Sequence, residues 1–117
     1  VIVMKSIEIK SVLNSNLAVT SDQAEIIYKL LSDSIKKGEN IEVNFEGITV
    51  LTTAFLNAAI GRLYDIADSK QLNEYVKINT LHLNNSHFNK IKMVMSNSRE
   101  KREANQVLME RVLNDGY

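Results

Sequence analysis

The chain contains no cysteine, no proline and no tryptophan, and only four glycines in 117 residues. Without cysteine there is no disulfide, no zinc–thiolate site and no cysteine nucleophile, a composition that fits a reducing cytoplasm. With no proline, reversals must be made by glycine and by the many Asn, Asp and Ser residues. Charge of either sign is not in excess, since 14 Lys and Arg balance 14 Asp and Glu. That argues against broad nucleic-acid binding and against adhesion to anionic membrane, both of which draw on surplus positive charge. No apolar run approaches the roughly 20 residues a bilayer-spanning helix needs. The opening "VIVM" is too short for a signal peptide and has no basic flank before it. Met4 is a candidate start, and Val1 to Val3 carry no weight in this reading.

Apolar residues at 44% and charged residues at 24% are ordinary for a soluble globular domain, so a packed core is expected. The length suits one domain that buries about two-thirds of its unfolded surface. Elements alternate in type along the chain. "SIEIKSVL", from Ser6, alternates like a strand, and "NSNLA" is a turn with one or two extended residues after it. "TSDQAEIIYKLLSDSIKKG" predicts a helix, with Thr20 and Gln23 or Asp22 and Glu25 as a capping box. Its apolar stripe is Ile27, Leu30, Leu31 and Ile35, and Gly38 is its stop. "IEVNF" sets Ile41, Val43 and Phe45 on one face of a second strand, and "ITVL" stays extended.

"TTAFLNAAIGRLYDIADS" then carries Phe55, Leu56, Ala59, Ile60, Leu63, Ile66 and Ala67 at helical spacing, predicting one long helix. "YVKIN" is a third strand, beginning its alternation at Tyr75 or Val76. "SHFNKIKMVM" places Phe88, Ile91, Val94 and Met95 on one helical face. A final helix from about Ser98 to Asn114 has a stripe of Ala104, Val107, Leu108, Arg111 and Val112. The order predicts an α/β layer structure, a small, mostly parallel or mixed sheet covered by helices. The division expected is an α/β domain over residues 1–97 with a helical extension over 98–117, packed on it or projecting from it.

Enzyme signatures are missing. Neither G-x-x-x-x-G-K-[ST] nor G-x-G-x-x-G occurs, and no G-x-S-x-G elbow holds a nucleophile. His82 and His87 stand five apart with no third ligand, which is a turn pattern rather than a metal site. Asp65 with Asp68, and Asp22 with Glu25, sit at i,i+3, a spacing typical of a wet helix face. No catalytic residue, metal or cofactor is expected. Lys90, Lys92, Arg99, Lys101 and Arg102 are interleaved with Glu100 and Glu103 and lack a stacking platform, so no nucleic-acid partner is expected either.

What stands out is Thr52-Thr53 between strand and helix. One threonine suffices to cap a helix, accepting a bond from a first-turn N–H. Two leave one hydroxyl over, beside the positive end of a helix dipole, where an added phosphate would be stabilised. "IEVNFEGITVLTTAFLNAAIGRLYDI" resembles the central segment of STAS domains and of the small STAS-like domains related to bacterial anti-sigma-factor antagonists. "IEVNF" matches that family's strand, "EGITVL" its connection, and "TTAF" its Asp-Ser-Ser-Gly junction. The resemblance spans roughly residues 5 to 95, with motif detail over 41 to 64.

Thr53 falls where the family has its phosphorylatable hydroxyl, and Thr52 replaces the aspartate. Phe55 replaces the glycine. The resemblance implies a non-enzymatic, cytoplasmic regulatory module of bacterial or phage origin. Its implied partner is an ATP-binding kinase-like or anti-sigma-type protein, docking through Thr52, Thr53, Phe55 and Asn57, with phosphorylation at Thr53 as the switch. A second expectation is a structural or assembly protein acting through its C-terminal helices, by homodimer formation or capture of a host or phage component.

Overall fold

The computed structural model describes residues 4–81 and 83–114, with side chains described for residues 5–81 and 83–104. Two parallel sheets and five α-helices are present among them. Strand β1 (Met4–Glu8) lies beside β3 (Asn40–Asn44), which in turn lies beside β5 (Val76–Asn79). Strands β2 (Leu17–Ala18) and β4 (Val50–Leu51) form a separate two-stranded pair. All pairings are parallel.

Register explains why the three-stranded sheet has one apolar face. Ile7 pairs with Val43 and Val43 with Ile78, while Ile41 pairs with Val76, so these side chains share a side. The intervening positions put Ser6, Glu42 and Lys77 in one row and Glu8, Asn44 and Asn79 in another on the opposite side. Asn79 Nδ2 donates to Glu42 Oε1 at 3.1 Å, tying the outer strand to the middle one on that polar side. Both crossovers step the same way across the sheet, and connections of one hand then lay their helices on the same face. Accordingly α2 (Ser21–Lys36) and α3 (Thr53–Ala59) pack against each other over the apolar side.

Helix α2 begins at Thr20 by the expected capping box, Thr20 Oγ1 accepting from Gln23 N and Gln23 Oε1 accepting from Thr20 N. Ile27 and Leu31 are buried, whereas Leu30 of the predicted stripe faces outward. Gly38, at φ +68°, ends the turn after the helix in the left-handed region that a side chain resists.

In the elements themselves, four features depart from the sequence reading. Helix α1 (Ile9–Leu13) takes the second half of the segment expected to be one strand, because Ile9 turns fully into the core and Asn14 closes the helix in the left-handed conformation. The helix after Thr52 stops at Ala59 and tightens into a 3-10 segment, Gly61–Asp65. Gly61 is where the C-terminal helix approaches, since a Cβ there would lie 2.6 Å from Ser98 Oγ. An unanticipated α4 (Ser69–Tyr75) follows, started by Asp68 and Gln71 in a second capping box. The two helices expected at the C-terminal end are one continuous α5 (Asn85–Asn114), unbroken across residues 97 and 98.

Helix α5 belongs to the core at its N-terminal half. Ile91 and Val94 are buried and Met95 is half-buried, as the spacing predicts. Phe88, expected on that face, is 40% exposed, and His87 takes the inner position instead. The side chains of Val107, Leu108, Arg111 and Val112 lie outside the described residues, as does His82.

Candidate functional site

The junction between β4 and α3 is held from three directions. Thr52 N–H donates to the carbonyl of Ala18 at 3.2 Å, continuing the β2–β4 ladder one residue past its end. Thr52 Oγ1 accepts from Phe55 N at 3.1 Å, the N-cap bond, and donates to the carbonyl of Val19 at 3.4 Å. From α5, Lys90 Nζ donates to the carbonyl of Leu51 at 3.0 Å. Backbone, hydroxyl and ammonium thus fix one short stretch of chain between the small sheet and the long helix.

The chain from Leu51 through α3 to the 3-10 segment runs beside α5 in the same direction. Lys90 meets Leu51, Val94 and Ser98 close on Gly61, and Arg102 donates from Nη1 to the carbonyl of Tyr64. Asn57 sits one turn before Gly61, its Oδ1 3.4 Å from where a Gly61 Cβ would be. The pairing is close because position 61 has no side chain, and it carries the beginning of the C-terminal segment onto the body of the domain.

The two threonines therefore have different fates. Thr52 is the cap, and both hydrogen-bonding capacities of its hydroxyl are used. Thr53 is the first helical residue, half-buried, and its hydroxyl makes no hydrogen bond among the described residues. Asn57 is exposed one turn further along the same helix. Phe55 is corrected as a surface contact: it is fully buried, the largest fully buried side chain described, and supports the junction from beneath. The reason lies in the spacing, since Phe55, Leu56 and Ala59 form the inner stripe that meets α2 and the sheet.

Sequence reading did not find Lys90 as a junction residue, having grouped it with the basic positions of the C-terminal helices. Its contact joins positions 39 apart, and only tertiary placement reveals it. His87, one turn before Ile91, is buried, and its pKa is held below the ordinary 6.5 by burial and by the neighbouring Lys90 charge. Burial raises the Tyr64 hydroxyl above its usual range, opposed by the Arg99 charge.

No group of three or more His, Asp or Glu able to hold a metal occurs among the described residues. An open groove lined by Glu8, Lys10, Ser11, Asn14, Ser15 and Asn16 flanks α1. No helix among the described residues is long and apolar enough to cross a membrane.

No curated protein and no solved structure matches the chain. Residues 23–87, more than half of its length, match a family described as a STAS-like domain of unknown function (DUF4325). That span runs from the first turn of α2 to the first turn of α5 and includes the turn from β4 into α3, while Ala18, Val19 and Lys90, which hold that turn, lie outside it. With its parallel sheet, its helices and this match, the chain belongs to the STAS-like domain family of unknown function.

Proposed function

We propose that this domain is a non-enzymatic regulatory module that docks a protein partner around the α3 N-terminus, with Thr52, Thr53 and Asn57 in the contact. The reading extends to a kinase-like ATP-binding or anti-sigma-type partner, a bacterial or phage setting in the cytoplasm, and phosphorylation of Thr53 as the switch. One observation carries it. Of two adjacent threonines, the first is consumed in capping while the second keeps an unengaged hydroxyl on a rigidly held turn.

A phosphate on Thr53 would add nearly two negative charges two residues from the carbonyl that Lys90 engages. The added charge would draw on Lys90 and change the surface offered to a partner without unpacking Phe55. The test compares wild type, Thr53→Glu and Thr53→Val as baits. Loss of the captured partner with Glu and its retention with Val support a charge switch, and identical capture by all three removes it.

The length of α5 favours a second reading, assembly through the C-terminal helix. Thirty residues of helix span about 45 Å, longer than the 35 Å and 25 Å minor dimensions of the molecule. Because Ser98 packs on Gly61 and Arg102 donates to the Tyr64 carbonyl, truncation at residue 97 would cut into structural contacts. Truncation after residue 103 is the appropriate cut. Loss of an oligomer by a still-folded domain supports assembly, and a monomer both before and after the cut removes it.

A further inference from the structure

Strand β2 has one neighbour among the described strands, β4, so its other edge pairs with no strand. The carbonyls of Asn16 and Ala18 accept from Thr49 and Thr52, so these residues face β4. Backbone groups alternate along a strand, so the N–H and carbonyl of Leu17 and the N–H of Val19 point away from β4. An outward row of unpaired amides and carbonyls is a template for pairing with another chain.

Here every group in that row is already bonded, and by side chains of the same molecule. Ser15 Oγ accepts from Leu17 N at 3.0 Å and lies 3.4 Å from the Leu17 carbonyl as a donor. Gln23 Nε2 donates to the Leu17 carbonyl at 2.9 Å, and Gln23 Oε1 accepts from Val19 N at 3.0 Å. The Val19 carbonyl is not part of that row, since it turns to the β4 side and accepts from the hydroxyl of Thr52.

In a parallel ladder a residue of the added strand gives its N–H to one carbonyl and takes the N–H two residues on. The amide of Gln23 does both, to Leu17 and Val19. We propose that Gln23 acts as one residue of a mock third strand, keeping the β2 edge closed to edge-to-edge pairing with a second copy of this chain.

The capping box alone does not account for this residue. Glutamate or glutamine serves equally at that position, because the box needs only an acceptor for the Thr20 N–H. Only glutamine adds a donor, and the donor is spent on Leu17. Closure matters at this place because Leu17 and Val50, paired across β2 and β4, are each 44% exposed, and Val19 is 39% exposed. Freed backbone groups beside exposed apolar side chains are what edge association uses.

Three variants of the full chain separate closure from capping. Gln23→Ala removes both functions of the amide. Gln23→Glu keeps the acceptor for the cap and sets a carboxylate oxygen against the Leu17 carbonyl. Thr20→Ala weakens the cap and leaves the Gln23 amide in place. Amide exchange at Val19 by NMR and sedimentation velocity across a concentration series are the readouts.

Exchange at Val19 rises several-fold, to about tenfold, in Gln23→Ala, the size expected for one lost hydrogen bond. Both Gln23 variants self-associate at lower concentration than wild type, and Thr20→Ala does not. Unchanged Val19 exchange in Gln23→Ala overturns the proposal. So does association of the Gln23 variants no stronger than wild type, or equal association of Thr20→Ala, which would assign the effect to helix fraying.

Discussion

Thr52 and Thr53 are chemically alike and adjacent, yet the fold asks different things of them. Removing the Thr52 hydroxyl deprives Phe55 N–H of its acceptor and Val19 of its donor. Thr52→Ala therefore lowers unfolding free energy by about 1 kcal/mol, within the usual range for a lost N-cap. Thr53→Ala, with no hydrogen bond to lose, stays within about 0.5 kcal/mol of wild type. Urea unfolding of the two single variants measures the contrast, and equal losses would remove the assignment of cap and spare hydroxyl. Phe55→Ala empties a fully enclosed site beneath the same turn and costs roughly 3–5 kcal/mol, a large part of a small domain's stability.

His87 sets a pH dependence at the same scale. Its folded pKa lies below 6.5, so the unfolded chain takes the proton more readily than the folded one. The contribution of this group is therefore whole above about pH 6.5 and is lost as pH falls from there through the folded pKa. Urea midpoints at pH 7.5 and pH 5 in wild type and His87→Gln test it. The variant should show a smaller decrease on acidification.

Between elements, the contact of the 3-10 segment with α5 turns on a missing side chain. A Cβ at Gly61 would lie 2.6 Å from Ser98 Oγ and 3.3 Å from Val94 Cγ1, so something must move. Gly61→Ala is expected to destabilise by about 1–3 kcal/mol, the usual cost of overpacking. Adding Ser98→Gly removes the nearest obstacle and should recover part of that loss, giving a non-additive double-mutant cycle. Additive losses would place the strain elsewhere.

How legible each element was in the sequence follows from where its cause lies. The capping box of α2, the alternation of β3 and the threonine cap of α3 depend on residues a few positions apart, and a single pass along the chain finds them. Asp68 and Gln71 were equally local, but the apolar spacing of Ile60, Leu63, Ile66 and Ala67 suggested a continuing helix and hid the new start. Periodicity survives the change from α-helix to 3-10 segment well enough that Leu63 and Ala67 are buried as predicted while the backbone differs. Ile9 and Gly61 respond to partners distant in sequence, and no local pattern announces them. The candidate site divides the same way: Thr52 and Thr53 were readable, and Lys90 was not.

For the whole molecule, the sheet is polar on one side and packed with helices on the other, and α5 is a core element over its N-terminal half. An all-parallel sheet is commonly covered on both faces. Here the polar rows Ser6–Glu42–Lys77 and Glu8–Asn44–Asn79 give it a side compatible with water. The same arrangement sets the rigid β4–α3 junction between the small sheet and α5, and this joins the residue-scale contrast to the proposed role. Removing Lys90's bond should affect the junction more than the core, since Ile91 and Val94 continue to anchor the helix.

The proposed role stands on partner capture. Wild type and Thr53→Glu, both verified as folded, are used as baits in lysate of the source organism, with mass spectrometry as readout. The account predicts that wild type retains an ATP-binding kinase-like or anti-sigma-type protein and that Thr53→Glu loses it. Capture of the same partner by both baits, or of none by wild type, would contradict a phosphorylation-switched docking surface at Thr53.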